Sequence, residues 1–109
     1  MEYLNKQYLL DKRPIGMPQD DCWKLNDDLI TSLKKNEIII EVKYLSIDPY
    51  MRGRMNDSKS YAAPAKIGEP MTGETAGIVI ESKSDLFNVG DKVCAHQGWH
   101  TYITVSYTP

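Results

Sequence analysis

Apolar and polar positions alternate along most of this chain with the period of β-strands. The clearest run is NEIIIEVKYLSI at 36–47, where Ile38, Ile39 and Ile40 are β-branched and apolar residues recur at alternate positions from Ile40 to Leu45. AGIVIES follows from Ala76 and GDKVCAH from Gly90. From Trp99, WHTYITVSY sets Thr101, Ile103 and Val105 on one face and His100, Tyr102 and Thr104 on the other. Shorter strand signals lie at 7–10 and 22–25, separated by the breakers Pro14, Gly16 and Pro18. The one helical signal is DDLITSLKK at 27–35, with an Asp start and Leu29, Ile30 and Leu33 at helical spacing over barely two turns. Five or six short strands without long helices predict a mainly β fold, a small barrel or sandwich.

A chain of 109 residues is one domain by size. Its net charge of −2 argues against a nucleic-acid or acidic-membrane binder, which carries a basic excess. No stretch has the ~20 apolar residues of a membrane span, and the start, MEYLNKQYLLDKRP, lacks the apolar run of a signal peptide. Cys22 and Cys94 belong to no metal-ligand cluster; they read as free thiols, buried or half-buried, in a reducing, cytoplasmic compartment, with a disulfide between them as the alternative.

Several residues carry chemistry that alternation does not require. SIDPYMRGRMND at 46–57 follows a strand, and a turn would need only Asp48 and Pro49. Arg52 and Arg54 offer paired donors to a phosphate or carboxylate, or are solvated loop charges; with Lys59 they make too small a cluster for nucleic acid. Tyr50 and Tyr61 can each present an apolar ring and a hydroxyl donor, or simply pack loop against barrel. His96 and His100 are four apart, but Gly98 and the strand pattern oppose a helix, and no third ligand is near. His100 is therefore expected on the outer face of a strand. VGDKV at 89–93 reads as a turn into a strand, and 60–75 is the one long irregular stretch. No G-x-G-x-x-G turn between strand and helix is present.

EIIIEVKYLSIDPYMRGRM, GEPMTGETAGIVIES, FNVGDKV and GWHTYITV together resemble the first domain of the medium-chain dehydrogenase/reductase superfamily. DPYMRGRM is specific to its zinc-free branch, which includes leukotriene B4 12-hydroxydehydrogenase/prostaglandin reductase and the bacterial curcumin-reductase-like NADPH-dependent oxidoreductases. The resemblance implies a GroES-like, partly open β-barrel with few short helices, forming the substrate-side domain over 1–109. It also implies a Rossmann NADPH-binding domain outside these residues, with the active site between the two. Family members reduce the C=C bond of α,β-unsaturated ketones and aldehydes. Hydride goes to the β-carbon and a proton to the α-carbon, while charge builds on the carbonyl oxygen.

The zinc-dependent relatives carry a cysteine where this chain has Asp48, and a Gly-His-Glu motif where it has Thr72-Gly73-Glu74. A glycine offers no ligand atom, so the resemblance implies a zinc-free site. It further implies Tyr50, Tyr61 and Met51 on the substrate side, Arg52 and Pro49 near the cofactor, and Gly73 and Gly77 as points of close backbone packing. A fragment of this kind is expected to lack the cofactor site and to be inactive alone. Its uncovered strand edge is expected to favour a homodimer. The alternative is a non-enzymatic GroES-like assembly or protein-binding module, against which the aromatic residues of DPYM and the Tyr61 stretch speak.

Overall fold

The structure is a computed structural model that describes residues 1–48, 50–56 and 65–106, with the side chains of all of these except Tyr50 and Gly53. The strands are β1 (Tyr3–Leu10), β2 (Trp23–Ile30), β3 (Glu37–Leu45), β4 (Thr75–Ser82), β5 (Lys92–Ala95) and β6 (Tyr102–Ser106), and the helix α1 (Tyr50–Arg54) lies between β3 and β4. β1 and β2 form a two-stranded antiparallel sheet. The other four form an antiparallel sheet in the order β5-β4-β3-β6. The two sheets do not close into one ladder. Isolated bridges join them where Gln7 faces His100 and Leu9 faces Pro70. The fold is thus mainly β and partly open, as the sequence suggested.

β3 holds the centre because its apolar run suits a strand covered on both sides. Ile38, Ile39 and Ile40 are all buried. Ile38 and Ile40 meet Val79 of β4 and Ile103 of β6 in one cluster, edged by Val42, Phe87, Val93, Ala95 and Val105. The alternation read at Ile103 and Val105 therefore does face the core. Register irregularities between Ile39 and Ile40 and between Val42 and Tyr44 bend β3 against β4. The turn into β5 matches its reading: Gly90 has φ 98°, and the Asn88 amide donates to Asp91 Oδ2 at 2.8 Å.

A second cluster lies between the sheets. Leu10, Met51, Met55, Ala65 and Met71 are buried together, with Trp23 and Trp99 packed on them. It seats α1. A five-residue helix cannot hold itself, because nucleation costs more than its few hydrogen bonds return.

Two expectations are corrected, and one element is new. The helical signal at 27–35 is overturned: residues 27–30 belong to β2, paired with 3–6 of β1. Leu29 is 52% exposed while Leu33 is buried, so the helical spacing never formed one buried face. The residues beyond the turn, Tyr50–Arg54, form α1, which the sequence did not predict. Both cysteines are free, but Cys94 is exposed, on the outward side of the short edge strand β5; only Cys22 is buried. Among the described residues, no helix is long and apolar enough to cross a membrane.

Candidate active site

The stretch after β3 and the stretch before β4 lie against each other. The Ser46 amide donates to Glu74 O at 2.9 Å, and Ser46 Oγ donates to Asp48 Oδ2 at 2.5 Å. The Met51 amide donates to Asp48 O at 3.1 Å, starting α1, and the Asp48 amide approaches Met51 Sδ at 3.4 Å. Asp48 is thus committed to local structure, holding the strand-to-helix turn. Gly73 completes the seat: a Cβ there would stand 2.7 Å from Met51 Cε and 3.6 Å from both Ser46 O and Trp99 Nε1. The space that a side chain at 73 would take is filled by the Met51 methyl. Asp48 and Gly73, the two positions where the resemblance expects ligands in zinc-dependent relatives, are spatial neighbours here. Neither is arranged as a metal ligand. Among the described residues no three His, Cys, Asp or Glu side chains gather at one point.

Met51 was expected on the substrate side, but its side chain is 3% exposed and belongs to the core cluster. It anchors α1, the helix that begins at its neighbour Tyr50. Arg52, expected near the cofactor, sends Nε to Gly16 O at 3.0 Å, Nη2 to Pro14 O at 3.1 Å and Nη1 to Asn56 Oδ1 at 2.7 Å. Pro49, Lys59 and Tyr61 lie outside the described residues. Gly77 performs the close packing expected of it: a Cβ there would collide with Glu41 O and stand 2.7 Å from Ile40 Cγ2.

Sequence reasoning missed Thr72 and Trp99. Thr72 Oγ1 and Trp99 Nε1 are buried without a hydrogen-bond partner among the described residues, and Trp99 Nε1 lies beside the Gly73 seat. The Trp99 ring lies 4.9 Å from that of Trp23 and meets Tyr8 edge-on at 6.3 Å. Nothing in GWHTYITV signals that the tryptophan turns inward.

His100 is half-buried rather than on an outer strand face, because β1 crosses there. Its Nδ1 accepts from Asn5 Nδ2 at 3.0 Å and from Gln7 Nε2 at 3.3 Å, which leaves the proton of the neutral ring on Nε2. Burial lowers its pKa below the ordinary histidine value, against smaller raising effects from a Gln97 backbone hydrogen bond and the Asp28 charge. Asn5 Oδ1 also accepts from the Thr101 and Tyr102 amides at 3.1 and 3.2 Å. This network joins the sheets and lies apart from α1.

An open groove of about 610 Å³ lies over β3, β4 and β5, lined by Tyr44, Ala76, Ile78, Val93 and Cys94 among others. Gly77 lines it as well, whereas Met51 and Arg52 do not.

The family described as the N-terminal domain of oxidoreductase matches residues 6–108. The chain is 38% identical over 98 residues to the NADPH-dependent curcumin reductase of Escherichia coli, covering 90% of this chain and 28% of that protein. It is 34% identical over 112 residues to the NADP-dependent 2-alkenal reductase of Nicotiana tabacum, covering 98% and 32%. Among solved structures, CurA from Vibrio vulnificus superposes with a TM-score of 0.89 at 41% identity, over 95% of this chain and 31% of that one. The same protein in complex with NADPH gives 0.88 at 40% identity, over 94% and 31%. The chain thus spans about a third or less of the length of these relatives. The match over nearly all its residues shows that the chain belongs to the family of oxidoreductase N-terminal domains.

Proposed function

We propose that this domain is the substrate-side half of an NADPH-dependent reductase that saturates the C=C bond of α,β-unsaturated ketones and aldehydes. The observation that carries the reading is the seat of α1. Gly73 admits the Met51 methyl where a metal ligand would otherwise be needed, and the helix that begins at Tyr50 is fixed directly upon it. The names of the relatives, curcumin reductase and 2-alkenal reductase, support the substrate class.

Reduction of an enone places negative charge on the carbonyl oxygen, and a fixed hydrogen-bond donor lowers that barrier. Tyr50 supplies the donor and an apolar wall. Tyr61 is the second aromatic wall, and Pro49 and Arg52 border the cofactor edge. No zinc takes part. NADPH supplies the hydride. Gly73 and Gly77 are filled against by protein atoms, and neither opens a phosphate cradle. On this reading the dinucleotide is assigned to a nucleotide-binding domain outside these residues. The 109 residues alone turn over no enone, and the whole protein works in the cytoplasm as a homodimer. Support for pairing comes from the short edge strand β5 and from Tyr44, 76% exposed nearby.

The test is NADPH oxidation by the polypeptide that carries this domain, with enones, enals and their saturated counterparts as substrates. Oxidation that requires the conjugated double bond supports the reading. Equal rates with saturated ketones, or none with any enone, would overturn it.

A further inference from the structure

Two arginines tie α1 to the segment that follows β1, each reaching in the opposite direction. Arg13 Nη1 donates to Met55 O at 2.9 Å, and its Nη2 donates to Ala65 O at 3.0 Å. Arg52, on α1, donates back to Pro14 O and Gly16 O and is steadied by Asn56 Oδ1. We propose that Arg13 and Arg52 form a reciprocal clamp that positions α1, and with it the Tyr50 backbone, for substrate binding. This inference rests on the reductase reading, and it makes Arg13 a positioning residue for that reaction.

The geometry favours a clamp over two incidental surface charges. Both guanidiniums are partly buried, and each spends a fork of donors on backbone carbonyls. Met55 O lies just past the end of α1, where the last carbonyls lack intrahelical partners and a cation is favourable. Ala65 is joined to the same place by its own amide, which donates to Arg54 O at 2.7 Å. One guanidinium therefore holds the chain on both sides of positions 56–64. The segment that carries Arg13 is itself fixed. The Leu10 amide donates to Glu69 O, the Asp11 amide to Cys22 O, and Pro14 is buried. Position passes from β1 through residues 13–16 to α1.

Helix α1 needs this support. Its Met55 amide bonds to Arg52 O at 3.2 Å, a three-residue step, and Gly53 lies within it. Met51 and Met55 anchor its apolar side, but methionines are flexible and define an orientation poorly. A planar fork across two carbonyls defines it well, and a lysine, with a point charge, can satisfy only part of that geometry.

The experiment has two arms. In the polypeptide that carries this domain, Arg13→Lys and Arg13→Ala are compared with wild type for the KM of a simple enone, the KM of NADPH and kcat. The expected result is an enone KM raised on the order of tenfold in Arg13→Ala and less in Arg13→Lys, with a smaller change in the NADPH KM. In the same polypeptide, amide hydrogen exchange at Met55 and Ala65 should quicken by about tenfold or more in Arg13→Ala, while Ile40 and Val79 keep their protection. An unchanged enone KM in Arg13→Ala, or exchange that rises equally at Val79 and Ala65, overturns the inference. A wild type inert toward every enone overturns the reductase reading and the functional half of this one. The exchange arm then still decides whether the clamp exists.

Discussion

Two glycines at first sight alike should respond differently to the same substitution. In Gly77→Ala the new methyl meets the Glu41 carbonyl and stands 2.7 Å from Ile40 Cγ2 and 3.0 Å from Glu41 C. Ordinary contact begins near 3.4 Å, so strands β3 and β4 must part by about an ångström at the Glu41 carbonyl. They cannot part freely, because Gly77 is paired with Val42 on one side and Val93 on the other. Overpacking of this kind costs about 1–3 kcal/mol, and a backbone obstacle belongs at the upper end. The entropy that alanine removes from the unfolded chain returns about 0.4–1 kcal/mol. The net loss is about 2 kcal/mol, or a Tm lowered by about 10 °C. In Gly73→Ala the obstacle is the far end of Met51, which can swing away, so the two effects nearly cancel and Tm moves by no more than a few degrees. Enone turnover should still suffer in Gly73→Ala, because the displaced methyl is the seat of α1. Thermal unfolding by circular dichroism reads both. Equal Tm shifts, or a larger shift in Gly73→Ala, would refute this packing account.

Two further predictions concern the network between the sheets. His100 has a folded pKa lowered by burial, so between that value and the unfolded value of about 6.5 the unfolded chain binds the extra proton. Its contribution to stability is complete above about pH 6.5 and is lost as the pH falls toward the lower folded value. Urea midpoints measured from pH 8 down to pH 5 should drop in wild type, and that part of the drop should vanish in His100→Asn. Asn5→Ala takes the side-chain acceptor from the Tyr102 amide, while the Thr101 amide keeps Lys6 O, and denaturant titration should show a loss of about 1–3 kcal/mol.

Much of the larger sheet was legible because burial and periodicity coincide there. β3 carries β-branched residues buried on both faces, and β4 alternates Thr75, Gly77 and Val79 inward. Only the first half of β2 was legible, at 22–25; its second half was not, because a two-stranded sheet leaves Leu29 exposed and the spacing of Leu29, Ile30 and Leu33 imitates a helix. Helix α1 was missed because five residues containing a glycine are too few to show a period. The resemblance drew attention to Gly73 and Asp48, but not to what surrounds them. Their surroundings depend on Trp99 turning inward and on arginines that bind backbone carbonyls, and a carbonyl acceptor leaves no trace in a sequence. Arg13, Thr72 and Trp99 therefore emerged only from the fold.

The most direct test of the central claim is Tyr50→Ala in the polypeptide that carries this domain, assayed for enone-dependent NADPH oxidation. The account predicts a fall in kcat/KM for the enone of about tenfold or more, with the KM of NADPH and the Tm unchanged. Wild-type kcat/KM in a folded Tyr50→Ala variant would contradict it, since α1 would then present nothing to the substrate.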